Sequence, residues 1–322
     1  MKRMARWIAF GFALTLTMLA GAARADYPEG PVKLVIPYPP GTGTDTLARF
    51  VAKKLEDRLG KPVVPENRAG SSGMGAAQSG IASPPDGHTL FFVANAPVAT
   101  NVALFTKLPY DPVKDLVPIA RLASAPMALL VPAASPYRSA KELLAAAAAQ
   151  PGKMNYGSGS ATYNIATEWL LSLANARANM VPYKGAAPAL ADLAGGQVDF
   201  ALAEYSGALP LISSGKLRIL GVTTDKRIPN EPDTPTLQEA GYAGYSPVAW
   251  WAMFAPARTP PAVVERLEKM LLEILATDEA AQFLRKAYMV PFAADAQGLR
   301  KYQLSEIARE LQVVEQAKIP RQ

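Results

Sequence analysis

The chain is predicted to be an α/β protein made of two similar units, and three observations predict it. Short runs rich in Val, Ile, Leu and Phe alternate with amphipathic stretches from Asp26 onward, the pattern of a mainly parallel sheet covered by helices. A strand, a small-residue turn and a helix N-terminus occur in that order twice, at Tyr38 to Asp45 and at Tyr156 to Asn164. Cys is absent from the 322 residues, so ordinary hydrophobic cores must hold the chain, and its length is enough for two.

Ahead of these elements, Lys2, Arg3 and Arg6 precede the apolar run Trp7 to Ala20, and Ala23-Arg24-Ala25 follows. That order predicts a secretory signal cleaved after Ala25, over residues 1–25, and a periplasmic mature protein. A membrane anchor would need about 20 apolar residues. Cleavage removes four basic residues and no acidic one, lowering the formal charge from +6 to about +2. No basic run remains along the mature chain, which excludes nucleic acid as a partner.

Val32 to Ile36 reads as the first strand, stopped by Pro39-Pro40 and turned by Gly41-Thr42-Gly43. Thr44 or Asp45 can cap a helix with Leu47, Val51, Leu55 and Leu59 on one stripe, closed by Gly60 and Pro62. Val63-Val64 and Thr89 to Ala94 supply two more strands, separated by a Gly/Ser loop and a helix. Pro126 to Pro132 reads as a strand leaving this unit, and Ser139 with Glu142 forms a capping box before an Ala-rich helix.

The second unit repeats the plan. Lys153 to Tyr156 is a short strand, Gly157 to Ser160 a turn, and Ile165, Trp169 and Leu173 mark the face of the next helix. A helix around Pro188 ends at Gly195-Gly196, and Val198 to Ala203 and Leu217 to Thr223 are strands. Val248 to Ala255 is a strongly apolar strand, followed by a helix from Thr259-Pro260 with Val263, Leu267, Leu271 and Leu275 in register.

The two turns carry the chemistry. Each presents unpaired backbone N–H groups at a helix start, which favours an anion by about 0.3–1 kcal/mol and up to ~2 when partly buried. Thr42, Thr44, Ser158, Ser160 and Thr162 add hydroxyl donors, and hydrogen bonds to a charged acceptor contribute about 1.5–3 kcal/mol each. Three or four would approach the ~8 kcal/mol of a micromolar ligand. Neither turn contains Lys or Arg, so neutral donors gripping a carboxylate are implied rather than a salt bridge. His88, the only histidine, stands beside the turn Pro84-Pro85-Asp86-Gly87 and reads as a structural turn residue.

The string Tyr38-Pro-Pro-Gly-Thr-Gly-Thr-Asp45 resembles the first loop of the Bordetella uptake gene (Bug) receptors, the extracytoplasmic solute receptors of tripartite tricarboxylate transporters. Further matches follow in order: Glu66-Asn67-Arg68, Pro85-Asp86-Gly87, Lys107 to Pro112, Pro151 to Tyr156, Pro182 to Gly185, Gly195 to Asp199, Ser214 to Arg218, Asp233 to Thr236 and Glu239-Ala240-Gly241. The resemblance spans essentially the whole mature chain. It implies a type II periplasmic-binding-protein fold, with residues 26–125 plus 248–322 as one lobe, 126–247 as the other, and a ligand in the cleft.

The resemblance also implies a non-enzymatic receptor without cofactor or metal, monomeric, handing a small organic carboxylate to integral membrane transporter subunits. Its ligand-binding residues would be Tyr38, Gly41, Thr42, Gly43, Thr44 and Asp45 in the first lobe. Ser158, Ser160, Thr162 and Asn164 would serve in the second, and Tyr163, as an aromatic wall, and Glu204, where the far end of a ligand could lie, join them as candidates from the residues themselves. Two departures from the family pattern stand out. The second loop is about two residues shorter, with Asn164 where His is usual, and Glu204 stands where Asp is usual. Tyr163, Tyr205, Trp250 and Trp251 could form a flat slot for an aromatic mono- or dicarboxylate, against aliphatic di- or tricarboxylates, while core packing is the expectation for the two tryptophans.

Two other classes compete. Gly41-x-Gly43 after a strand, with Glu66 further on, resembles half of a dinucleotide-binding fingerprint, but Thr46 holds the third glycine position and export removes the cofactor pool. A periplasmic hydrolase would need a nucleophile or metal set beside Asp45 or Glu204, and the sequence presents none.

Overall fold

The computed structural model describes residues 27–228 and 231–321; the signal peptide predicted over residues 1–25 lies outside them. Strand β1 (Val32–Ile36) pairs in parallel with β2 (Val63–Asn67) and with β3 (Thr89–Ala94). Pro65 is tolerated inside β2 because β2 is an edge strand, where a missing N–H breaks no ladder.

Between β1 and β2 runs α1 (Gly43–Leu59). Its stripe Leu47, Val51, Leu55 and Leu59 is buried as the spacing predicts, and Gly60 closes it in the left-handed conformation at φ 66°. The cap is Thr42 rather than Thr44 or Asp45, because the Thr42 hydroxyl accepts the Asp45 N–H. Helix α2 (Met74–Ile81), a π-helical turn at Ala96–Thr100 and the short α3 (Asn101–Leu104) follow.

Strand β4 (Leu116–Pro132) organises the molecule. Only its second half carries a strand signal in the sequence, since Pro118 and Arg121 interrupt the apolar run of the first. From Leu116 to Pro126 it pairs antiparallel with β9 (Val248–Pro256), and over Arg121 to Ser124 with β10 (Val290–Ala294). From Met127 onward its partners change to β7 (Phe200–Glu204) and β8 (Leu217–Val222). One strand thus belongs to both halves of a ten-stranded sheet.

The second half contains α4 (Ala140–Ala149), β5 (Asn155–Ser158), α5 (Ala161–Leu173), β6 (Asn179–Pro182), α6 (Ala186–Ala194), then β7, α7 (Tyr205–Ser213) and β8. β5 lies parallel to β6 and β7, which repeats the parallel arrangement of the first half. On α5 the buried stripe is Ile165, Ala166, Leu170 and Leu171, while Leu173 is exposed. The predicted i, i+4, i+8 line slips off this face because α5 packs against elements on two sides, including the C-terminal helix.

Helices α8 (Pro261–Leu275), α9 (Asp278–Lys286) and α10 (Ala296–Gln316) return to the first half, with α8 and α10 packed on β4. Instead of two separate cores, the largest apolar cluster runs from Leu34 and Val51 through Leu129 to Tyr156 and Leu202. The continuous strand β4 carries apolar side chains through both halves. Among the described residues, no helix is long and apolar enough to cross a membrane.

Candidate functional site

At the head of α1, Gly41 turns the chain at φ 81°, a value that favours glycine. Its N–H donates to Asp45 Oδ2 at 2.9 Å. Thr42 Oγ1 donates to the Pro39 carbonyl at 3.0 Å and accepts from the Asp45 N–H at 3.3 Å. Asp45 also receives Arg49 Nε at 3.0 Å and Asn67 Nδ2 at 2.9 Å. Burial pushes its pKa up, but the Arg49, Gly41 and Asn67 hydrogen bonds outweigh that and hold it below the usual carboxylate value. Asp45 therefore braces the loop from behind and is absent from the cleft lining, which Thr42 and Thr44 provide. Thr44 Oγ1 is fixed by the Trp251 Nε1–H at 2.9 Å.

At the head of α5, Ser160 is the N-cap and accepts the Tyr163 N–H at 3.4 Å. Ser158 Oγ donates to the Ser160 carbonyl at 3.0 Å. The Ala161 N–H donates across the cleft to Ser72 Oγ at 3.2 Å, so a hydroxyl of the first half meets the helix start of the second. Thr162 Oγ1 lies 3.1 Å from Thr100 Oγ1, which donates to Glu310 Oε1 at 3.1 Å.

The two helix heads share one crevice. Tyr38, Thr42 and Thr44 face Ser160, Thr162, Tyr163 and Glu204 across it, and Asn95 lies between them. The free space amounts to about 20 Å³, enough for roughly one water, so the halves stand closed. Ser158 and Asn164 instead line a neighbouring recess of about 100 Å³ with Ser72, Phe105 and Tyr183. Asn164 Oδ1 is held 2.6 Å from the Tyr156 hydroxyl.

Glu204, at the end of β7, is 4% exposed. A Cβ placed on Gly43 would lie 2.8 Å from its Oε2 and 3.0 Å from its Oε1. Burial pushes its carboxyl up to about 7, against a hydrogen bond from Tyr163 that lowers it. Tyr163 and Tyr38 are both raised above the usual phenol value, first by burial and then by the Glu204 charge.

Of the four aromatic residues read as a possible slot, only Tyr163 lines the crevice. Trp250 and Trp251 are fully buried in the strand-β9 core, and Tyr205 is buried against Tyr288. Strand alternation sends the two tryptophans to opposite faces of β9, where helices cover both. His88 stays in its turn, with its N–H donating to Asp86 Oδ1 at 2.8 Å.

Sequence reasoning missed Asn95, whose Oδ1 accepts the Trp250 N–H at 2.9 Å and whose Nδ2 donates to the Val248 carbonyl at 3.0 Å. Its place just past the C-terminal end of β3 was the available signal, since ligands of parallel sheets gather there. Gly159, Ala186 and Ala249 also line the crevice. They carried no signal, being small residues without polar side chains.

Two α/β halves joined by a shared strand, with helix N-termini converging on an interior crevice, define a solute-binding receptor of the periplasmic type. The model of the tripartite tricarboxylate transporter family receptors, TctC, matches residues 47–319. The protein BugT of Bordetella pertussis is 32% identical over 301 residues, covering 92% of each chain. The Rpa4515 protein of R. palustris, solved with adipate, superposes with a TM-score of 0.88 at 33% identity, over 91% of this chain and 99% of its own. MatC of Rhodopseudomonas palustris, solved with bound malate, gives a TM-score of 0.83 at 30% identity, over 89% and 100%. The chain belongs to the tripartite tricarboxylate transporter family receptors. These are solute-binding receptors, not enzymes, and they work with membrane transporter subunits.

Proposed function

We propose that this receptor captures a small organic carboxylate between the heads of α1 and α5 and presents it, in the closed form, to its membrane partner. The observation that carries this reading is the convergence of Thr42, Thr44, Ser160 and Thr162 on one crevice without a Lys or Arg among its lining residues. Thr44 and Ser160 accept hydrogen bonds and keep their own hydroxyl hydrogens for a ligand, and with two helix N-termini they suit a carboxylate. The adipate and malate of the two structural neighbours belong to the same chemical class.

On this reading, residues 26–125 with 248–322 form one lobe and 126–247 the other; the change of β4 partners at Met127 supports that division. The lobes must part to admit a solute, because the closed crevice has no room for one. A ligand that binds the closed state better then shifts the population toward it. Gly41 and Asp45 act by shaping the first loop, and Ser158 and Asn164 by shaping the second. With Trp250, Trp251 and Tyr205 in the core, an aromatic ligand would have only Tyr38 and Tyr163 to stack on, and the reading rests on the carboxylate alone.

A thermal-shift screen over mono-, di- and tricarboxylates, aliphatic and aromatic, tests this proposal. A ligand at about 100 times its dissociation constant stabilises by about 2.7 kcal/mol. Scattering should show compaction with the same compound. Silence across the whole panel, or turnover of a carboxylate ester or amide, would overturn the reading.

A further inference from the structure

We infer that the ligand carries one carboxylate and, at its other end, a hydroxyl or amino donor received by Glu204, so that the cleft discriminates against dicarboxylates. This inference rests on the carboxylate reading above and adds the chemistry of the second group. Among the described residues, Glu204 is the only acidic one lining the crevice, and no Lys or Arg lines it. Its carboxyl oxygens lie against Gly43 at the head of α1, so an acidic group from the opposite half stands beside the first of the two helix heads. The other helix head, at Ser160 and Thr162, brings no acidic side chain to the crevice, and its Ala161 N–H is met by the neutral Ser72 hydroxyl, which the ligand's own carboxylate can replace.

A carboxylate offers about four acceptor positions. Tyr163 satisfies one of them, which leaves Glu204 able to take further donors. A second carboxylate brought here would meet a like charge in a desolvated space, whereas a hydroxyl or ammonium would complete the hydrogen bonding. The titratable groups facing Glu204 are Tyr38 and Tyr163, and both are held neutral. Asp45 is turned to Gly41, Arg49 and Asn67 instead. Since burial already raises the Glu204 carboxyl to about 7, a dicarboxylate can enter only by adding a proton between the two groups.

Calorimetry on matched pairs tests the inference: 4-hydroxybutanoate against succinate, 6-hydroxyhexanoate and 6-aminohexanoate against adipate, and 4-hydroxybenzoate against terephthalate. At pH 8 the donor-bearing member of the binding pair should be tighter by about tenfold or more. In Glu204→Gln, checked for native circular dichroism and melting temperature, that ratio should collapse. Dicarboxylate affinity should fall between pH 6 and 8.5 in the wild type and stay flat in the variant. A dicarboxylate that binds the wild type as tightly as its partner at pH 8, or a ratio unchanged in Glu204→Gln, would overturn the inference. Absence of binding by every member would instead count against the carboxylate reading itself.

Discussion

Thr100 and Thr162 meet hydroxyl to hydroxyl at 3.1 Å, joining the π-helical turn of the first half to α5 of the second. Thr100 donates onward to Glu310 of α10, so Thr162 is the donor toward Thr100. This chain of three side chains ties the closed crevice to the C-terminal helix.

Replacing Thr162 with Val keeps the shape of the side chain and deletes the donor. The closed form should lose about 0.5–1.5 kcal/mol, the net worth of one such bond, and so shift toward the open form by up to roughly tenfold. Small-angle scattering without ligand should report a larger radius of gyration, with the melting temperature little changed.

Glu310 gives a pH signature. Burial pushes its carboxyl up to about 8, with the Glu306 charge adding to this and with Arg309 and Thr100 opposing it. An acid whose folded pKa lies above its unfolded value of 4.5 binds more protons when folded. Stability should therefore be greatest at the acidic end of this window, fall as pH rises from 4.5 toward 8, and level off beyond. Glu204, raised to about 7, acts in the same direction. Urea denaturation at several pH values should show the slope, and Glu310→Gln should remove a large part of it.

Gly43→Ala tests the close approach of the two halves. The new methyl would collide with the Glu204 carboxyl at 2.8 Å, while the helical backbone at this position accepts Ala. The variant should keep its melting temperature within a few degrees yet bind any ligand at least about tenfold more weakly. Adding Glu204→Ala to Gly43→Ala should restore compaction on closure, measurable by scattering.

Asp45→Ala probes a residue that braces the site without lining it. Gly41 N–H, Arg49 and Asn67 would all lose their acceptor, a change expected to cost about 1–3 kcal/mol of stability. Because its folded carboxyl is held below the usual value, the wild-type contribution is present at neutral pH and fades as pH falls through the acid range. Denaturation at pH 7 and in strong acid should show a large difference between wild type and variant in the first case and a small one in the second.

Much of the architecture was legible because local rules and global structure agree. Val32–Ile36, Thr89–Ala94 and the stripe Leu47, Val51, Leu55 and Leu59 appear as the periodicity predicts. The cap at Thr42 and the full length of β4 were not legible, since one depends on which hydroxyl reaches the Asp45 N–H and the other on partners far away in sequence. Glu204 stood out as an unusual residue, and Asn95 did not stand out at all.

Taken alone, the order of residues determined the strand–turn–helix units, the two helix heads without cations and the family resemblance, because propensity, capping and apolar period act over a few neighbours. Which side chains enter the crevice was decided only when the chain closed on itself. Asp45 turned to Asn67, Trp251 to Thr44, and Glu204 to Gly43 across 161 positions of sequence. Burial and long-range hydrogen bonding assign those orientations, and neither exists until both halves pack against the shared strand β4.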